Sequence, residues 1–112
     1  MDHQDCIFCR IIAGTIPSEK VFEDDRLVVI KDIAPKAPVH LLVLPKAHHP
    51  TLNEAASDPV LLGAMLACAA RMAREQGIAE KGYRTVVNVN QWGGQVVFHL
   101  HLHILGGKPL TF

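Results

Sequence analysis

The stretch Phe98-His99-Leu100-His101-Leu102-His103-Ile104-Leu105 alternates imidazole with aliphatic side chain, residue by residue. On a β-strand successive side chains point to opposite faces, so His99, His101 and His103 share one face and Leu100, Leu102 and Ile104 the other. A strand from Val97 to Leu105, closed by Gly106-Gly107, therefore has a core face and a face open to chemistry or to a metal. A lone histidine in a strand is ordinarily a packed or surface residue; three at alternate positions before a double glycine call for another reading. With an unperturbed pKa near 6.5, neighbouring imidazoles can hold different protonation states at neutral pH. A neutral ring can attack phosphorus while its neighbour stabilises developing charge or a leaving group.

Outward from this strand, six of the 7 histidines fall in two clusters, 40 to 49 and 99 to 103. Residues 5 to 13 predict a short helix capped by Asp5 and stopped by Gly14. Lys20 to Phe22 and Arg26 to Ile30 read as a hairpin around the acidic turn Glu23-Asp24-Asp25. Pro35-Lys-Ala-Pro38 forbids regular structure, and Val39 to Leu44 reads as a central strand ended by Pro45. From Asn53 or Ser57 to Gln76, apolar residues at Leu61, Met65, Cys68 and Met72 give one buried helix face. Arg84 to Val89 predicts the next strand, and Gln91-Trp-Gly-Gly-Gln95 a loop whose backbone amides can approach phosphate oxygens. Five strands, one long helix and a short N-terminal helix point to an α+β fold with a mostly antiparallel sheet, in one domain over 1–112.

Composition narrows the function. Lys plus Arg equals Asp plus Glu at 11 each, so there is no basic excess for a nucleic-acid partner. The polar, acidic N-terminus is unlike a secretory signal, and no apolar run approaches about 18 residues. The expectation is a soluble, cytoplasmic protein with no membrane partner. Of the 3 cysteines, Cys68 reads as packed in its helix, while Cys6 and Cys9 read as metal ligands or core residues.

His-Leu-His-Leu-His-Ile-Leu resembles the signature of the histidine-triad (HIT) family, in which three histidines alternate with apolar residues. Cys6-Ile-Phe-Cys9, Ile16-Pro-Ser18, Phe22-Glu-Asp-Asp25, Asp32-Ile-Ala-Pro35, Ala37-Pro-Val-His40, Pro45-Lys-Ala-His48, Gly82-Tyr-Arg84, Asn88 and Gly93-Gly-Gln95 are similar to its nucleotide-binding Hint branch. The resemblance runs from about residue 6 to Pro109. It implies a HIT-like fold and a purine nucleotide hydrolase acting on phosphoramidates or acyl-nucleotides of AMP or GMP. His101 would be the nucleophile forming a nucleotidyl-histidine, His103 would contact phosphate oxygens, His99 would orient the site, and His40 would lie beside His101 in a proton relay. Asp32 would bind the ribose hydroxyls, with Ile7, Phe8, Ile11, Ile30 and Ile33 forming the base slot. Asn88, Gly94, Gln95 and the Val97 backbone would line the phosphate. Relatives are homodimers joined through the long helix and the strand near Arg84 to Val89.

His48 and His99 complete a Cys2His2 set with Cys6 and Cys9, a donor combination suited to tetrahedral zinc. Some family members similarly use the first triad histidine and two cysteines, so a structural zinc is expected at Cys6, Cys9, His48 and His99, with His49 as the substitute for His48. No organic cofactor is expected. Val96 stands where relatives carry a polar or acidic residue, which bears on the choice of leaving group. Two other functions fit the same residues: a dinucleoside polyphosphate hydrolase of the Fhit type, and a zinc-stabilised nucleotide-binding module without turnover.

Overall fold

The computed structural model describes residues 5–112. Ile7–Ala13 form α1; Lys20–Glu23, Leu27–Lys31 and Val39–Pro45 form β1, β2 and β3; Leu52–Ala55 and Pro59–Glu75 form α2 and α3; Tyr83–Val86 and Leu102–Gly106 form β4 and β5. A 3₁₀ turn occupies Gln91–Gly93. The five strands make one sheet in the order β1-β2-β3-β5-β4, antiparallel at every pairing.

The sheet is covered on both faces, which is why β2 and β3 read as continuous apolar runs. Leu27, Val29, Leu41, Val43, Leu102 and Ile104 pack under Leu61, Met65, Ala69 and Met72 of α3. On the opposite face Val28, Ile30, Leu42 and Leu44 pack under Phe8 and Ile11 of α1. His40 lies on this α1 face, two residues from Leu42 along the pleat, and His103 pairs with Leu42 across the ladder. The histidines therefore gather under the short helix, away from the long one.

Several boundaries differ from the sequence reading. The cap of α1 is Cys6, whose sulfur accepts the Cys9 N–H at 3.3 Å, and Asp5 lies outside it. The helical stretch from Asn53 to Gln76 is broken: Thr51 closes a capping box with Glu54 over α2, and Asp58 then caps α3 with Pro59 at its first turn. β4 ends at Val86 rather than Val89.

The strand expected from Val97 begins only at Leu102. Its neighbour β3 ends at Pro45, which has no N–H to extend the ladder. His101 and Leu100 come opposite Leu44 and Pro45 without joining the ladder, residues 97–99 run on past that end, and the segment is held by other means: Leu100 N–H donates to His49 O at 2.7 Å, and His99 Nε2 donates to Pro45 O at 2.8 Å. The alternation nonetheless persists, with Leu100, Leu102 and Ile104 all buried in the α3-side core.

Candidate active site

Each histidine's tautomer follows from its fixed partners. A carbonyl oxygen only accepts, so His99 Nε2 carries its proton toward Pro45 and leaves Nδ1 as a lone pair. His101 Nδ1 lies 2.7 Å from the carbonyl of His99, so the proton sits on Nδ1 and Nε2 is bare. Lys36 N–H donates to His40 Nδ1 at 3.1 Å, which puts the neutral ring's proton on Nε2. That proton is donated to His103 Nδ1 at 2.9 Å, so His103 in turn carries its hydrogen on Nε2. Among the described residues this buried Nε2–H has no partner.

The result is a bare nitrogen on His101 beside an unmatched donor on His103, with the two ring centroids 5.0 Å apart. A lone-pair nucleophile and a positioned N–H donor are the two things needed to attack a phosphoryl group and hold its oxygen. Burial, opposed by the His99 carbonyl and Asp32, keeps His101 below the ordinary histidine value, so it is neutral at pH 7. Burial, then the neighbouring His101 and His40, push His103 down to about 4. Phe8 stacks edge-on against His101 at 5.0 Å and helps keep water from that ring.

His40 is thus the partner of His103, not of His101 as the sequence reading has it. Across β3 and β5 it stands diagonally from His103, within side-chain reach. Asp32 Oδ2 also approaches His40 Nε2, at 3.4 Å, while Oδ1 accepts the Ala34 N–H at 2.8 Å. Asp32 therefore makes the local turn typical of aspartate and still presents an oxygen to the site. Asp32, His40 and His103 bring three donor atoms within 4.8 Å of one another. Because His40 Nδ1 already accepts from Lys36, its Nε2 keeps a proton and is no metal ligand; the group is a hydrogen-bond relay.

The other expected contacts divide. Phe8, Ile11 and Ile30 are buried in the α1-side core, Ile7 is partly exposed, and Ile33 stands 93% exposed on its loop. Gln95 is buried with its side chain committed: Oε1 accepts the Asn90 N–H at 2.8 Å, and Nε2 donates to Pro50 O and Val97 O. It braces the loop, a function the sequence reading missed; the buried glutamine amide beside two glycines was the available signal. Gly94 lies in that braced turn at φ 81°, Asn88 precedes it half-buried, and Val97 packs against the α1 cluster. Val96 projects into solvent, 86% exposed.

Cys6, Cys9, His48 and His99 come together as the sequence suggests, with one ligand atom from each within 4.8 Å of the others. Cys9 Sγ is 3.2 Å from His48 Nδ1 and 3.5 Å from His99 Nδ1, and Cys6 Sγ is 3.4 Å from His99 Nδ1. Burial and the adjacent Cys6 raise the Cys9 thiol to about 11. A hollow of about 440 Å³ opens beside this group, lined by Asp5, Cys6, Ile7, His48 and Val96 to Phe98. A larger one, about 790 Å³, lies between Gly77 to Arg84 and Gly107 to Leu110 and includes no histidine.

A model of the HIT domain matches residues 13–110. The chain belongs to the HIT family. It is 44% identical over 108 residues, covering 96% of this chain and 91% of the other, to a purine nucleoside phosphoramidase of Escherichia coli. A histidine triad protein from Clostridium difficile superposes with a TM-score of 0.95 at 42% identity, covering 100% of this chain and 98% of that one. A zinc-bound histidine triad family protein from Mycobacterium smegmatis superposes at 0.81 with 33% identity, over 92% and 75% of the two chains. Among the described residues no helix is long and apolar enough to cross a membrane.

Proposed function

We propose that this HIT-family hydrolase cleaves purine nucleoside phosphoramidates or acyl-nucleotides through a nucleotidyl-histidine on His101, releasing a nucleoside monophosphate. The observation that carries the reading is the hydrogen-bond geometry, which leaves Nε2 of His101 without a proton beside a His103 Nε2–H that has no partner among the described residues. Nε2 of His101 attacks the α-phosphorus, the bond to the amine or acyl group breaks, and an amine takes its proton from solvent. The charge appearing on the His101 ring is held by the His99 carbonyl through Nδ1–H, while His103 Nε2–H donates to a phosphoryl oxygen. Water then attacks the phosphorus and frees His101. Asp32 binds the ribose, the exposed Ile7 and Ile33 flank the base, and Asn88, Gly94 and the Val97 backbone face the phosphate. The phosphoramidase name of the E. coli relative supports this substrate class.

His101→Ala should still bind AMP but lose turnover of adenosine phosphoramidate, and trapped wild-type enzyme should carry the mass of one nucleotidyl group. Undiminished cleavage removes His101 from the role. Faster turnover of diadenosine polyphosphate than of phosphoramidate would favour the dinucleotide reading instead.

Cys6, Cys9, His48 and His99 fit a structural zinc. Their chemistry is that of a closed tetrahedral site, and the second nitrogen of His99 is already oriented by a backbone carbonyl, as metal-bound histidines usually are. When bound, zinc supplies cross-linking of α1 to the segments at 48 and 99. Metal analysis of protein purified without chelator tests this, and Cys6→Ser should lower both zinc content and melting temperature. A homodimer is supported by the apolar outer stripe of α3, including Val60 and Leu66, and by β4 standing at the sheet's end. Sedimentation at micromolar concentration tests it. The free Cys6, Cys9 and Cys68 suit a reducing cytoplasm.

A further inference from the structure

We propose that the Cys6, Cys9, His48 and His99 centre sets the orientation of the His101 nucleophile, so that metal occupancy and nucleotide occupancy are linked. The inference rests on the zinc reading above and goes beyond a staple for the fold.

His99 is fully buried and is used at three points. Its Nδ1 faces the two thiols at 3.4 and 3.5 Å, its Nε2 donates to Pro45 O, and its carbonyl accepts the His101 Nδ1–H. The same residue that offers a ligand nitrogen therefore holds the proton that keeps His101 Nε2 bare. Two covalent bonds along the backbone separate its side chain from that carbonyl, so a shift of one shifts the other.

Residues 97–101 lie outside the β5 ladder, which begins at Leu102. No run of strand hydrogen bonds fixes the His99 carbonyl. What registers it is the segment 45–49: Pro45 O on the His99 ring, His49 O on Leu100 N–H, and His48 across the thiols, with its ring 5.0 Å from that of His99. Two of the four metal donors lie on these two opposed segments, Cys9 lies on α1 and Cys6 on its N-cap. A cation there clasps the nucleophile's segment against the strand end and loop that hold its His99 ring and Leu100 amide. Phe8, one residue from Cys9, touches both His99 and His101 and moves with the same clasp.

Linkage of this kind is reciprocal: if the metal improves nucleotide binding by some factor, the nucleotide tightens the metal by that factor. The test replaces zinc with cobalt(II) in the folded holoprotein and follows the thiolate-to-cobalt and d–d absorption bands while AMP is added to saturation. A shift of those bands that titrates with AMP occupancy is expected, together with at least about fivefold slower metal transfer to a competing chelator. Cobalt bands and transfer rates unchanged at full AMP occupancy overturn the proposal and leave the metal as a staple. Because the cobalt readout is made on the loaded protein, it does not depend on whether the stripped chain stays folded. Where the stripped chain does fold, its AMP affinity should be weaker by the same factor. Failure of the wild-type protein to take up either metal overturns the zinc reading, and this proposal with it.

Discussion

Replacing His40 by leucine tests the relay that fixes the His103 donor. The His40 ring is 1% exposed, accepts from Lys36 N–H and donates to His103 Nδ1 at 2.9 Å. Leucine fills similar space and does neither, leaving the buried His103 Nδ1 without its donor. Two hydrogen bonds are lost, and the stranded, buried His103 Nδ1 alone costs about 1 to 3 kcal/mol of stability, with the more exposed Lys36 N–H adding less. The catalytic effect comes from the tautomer: a bond of roughly 1.4 kcal/mol biases the proton onto Nε2 by about tenfold. With that bias gone the Nε2–H form drops from about ten-elevenths to about one half of the rings, so kcat for adenosine phosphoramidate should fall about twofold from the tautomer alone, while KM shifts only as far as Asp32, which also approaches His40 Nε2, is disturbed. His40→Gln supplies an amide donor toward His103 and a carbonyl toward Lys36, and should recover part of kcat. Steady-state kinetics and urea melts on both variants give the answer. Wild-type kcat in His40→Leu, or equal loss in the leucine and glutamine variants, refutes the relay.

Three further outcomes are expected. His40, His101 and His103 all sit below the ordinary value of 6.5, with burial the leading cause in each. Unfolded chains therefore take up protons before the native state does, and stability measured by urea should be level above pH 6.5 and fall as pH drops toward 4; stability that rises into acid contradicts the assignments. Ile104→Ala empties a fully buried position under α3 and should cost about 2 to 5 kcal/mol in the same assay. Gly107→Ala should destabilise by about 1 to 3 kcal/mol, because φ is +95° there and a Cβ would come 2.9 Å from Pro38; an unchanged melting temperature counts against that packing.

The triad's sidedness was legible because period two survives where the ladder does not: Leu100 keeps its place in the core although residues 97–101 pair with no strand. Cys6, Cys9, His48 and His99 were legible as a donor set by chemistry alone. The late start of β5 was not, since its cause is the missing N–H of Pro45 on a different strand, fifty-seven residues before Leu102. The break between α2 and α3 was written in Asp58-Pro59, a cap followed by a first-turn proline, but the surrounding Ala and Leu residues masked it. The partner of His40 depended on strand register, which sequence spacing does not disclose, and the inward commitments of Gln95 depended on Pro50 arriving from elsewhere in the chain.

One strand serves both ends of the chemistry. β3 offers His40 near its start to the His103 ring, and Pro45 O at its end to His99, whose carbonyl holds the His101 ring. It works as an alignment rail: deleting a single residue between them would turn one anchor to the opposite face of the sheet and separate the donor from the attacking nitrogen. Variation in this enzyme is consequently channelled to the ends of the sheet. The Glu23-Asp24-Asp25 turn is pinned by Asp24 Oδ1, which accepts the Arg26 and Leu27 N–H groups, so side chains change at least cost in the loop from Asn88 to Val97, where Val96 already faces open solvent.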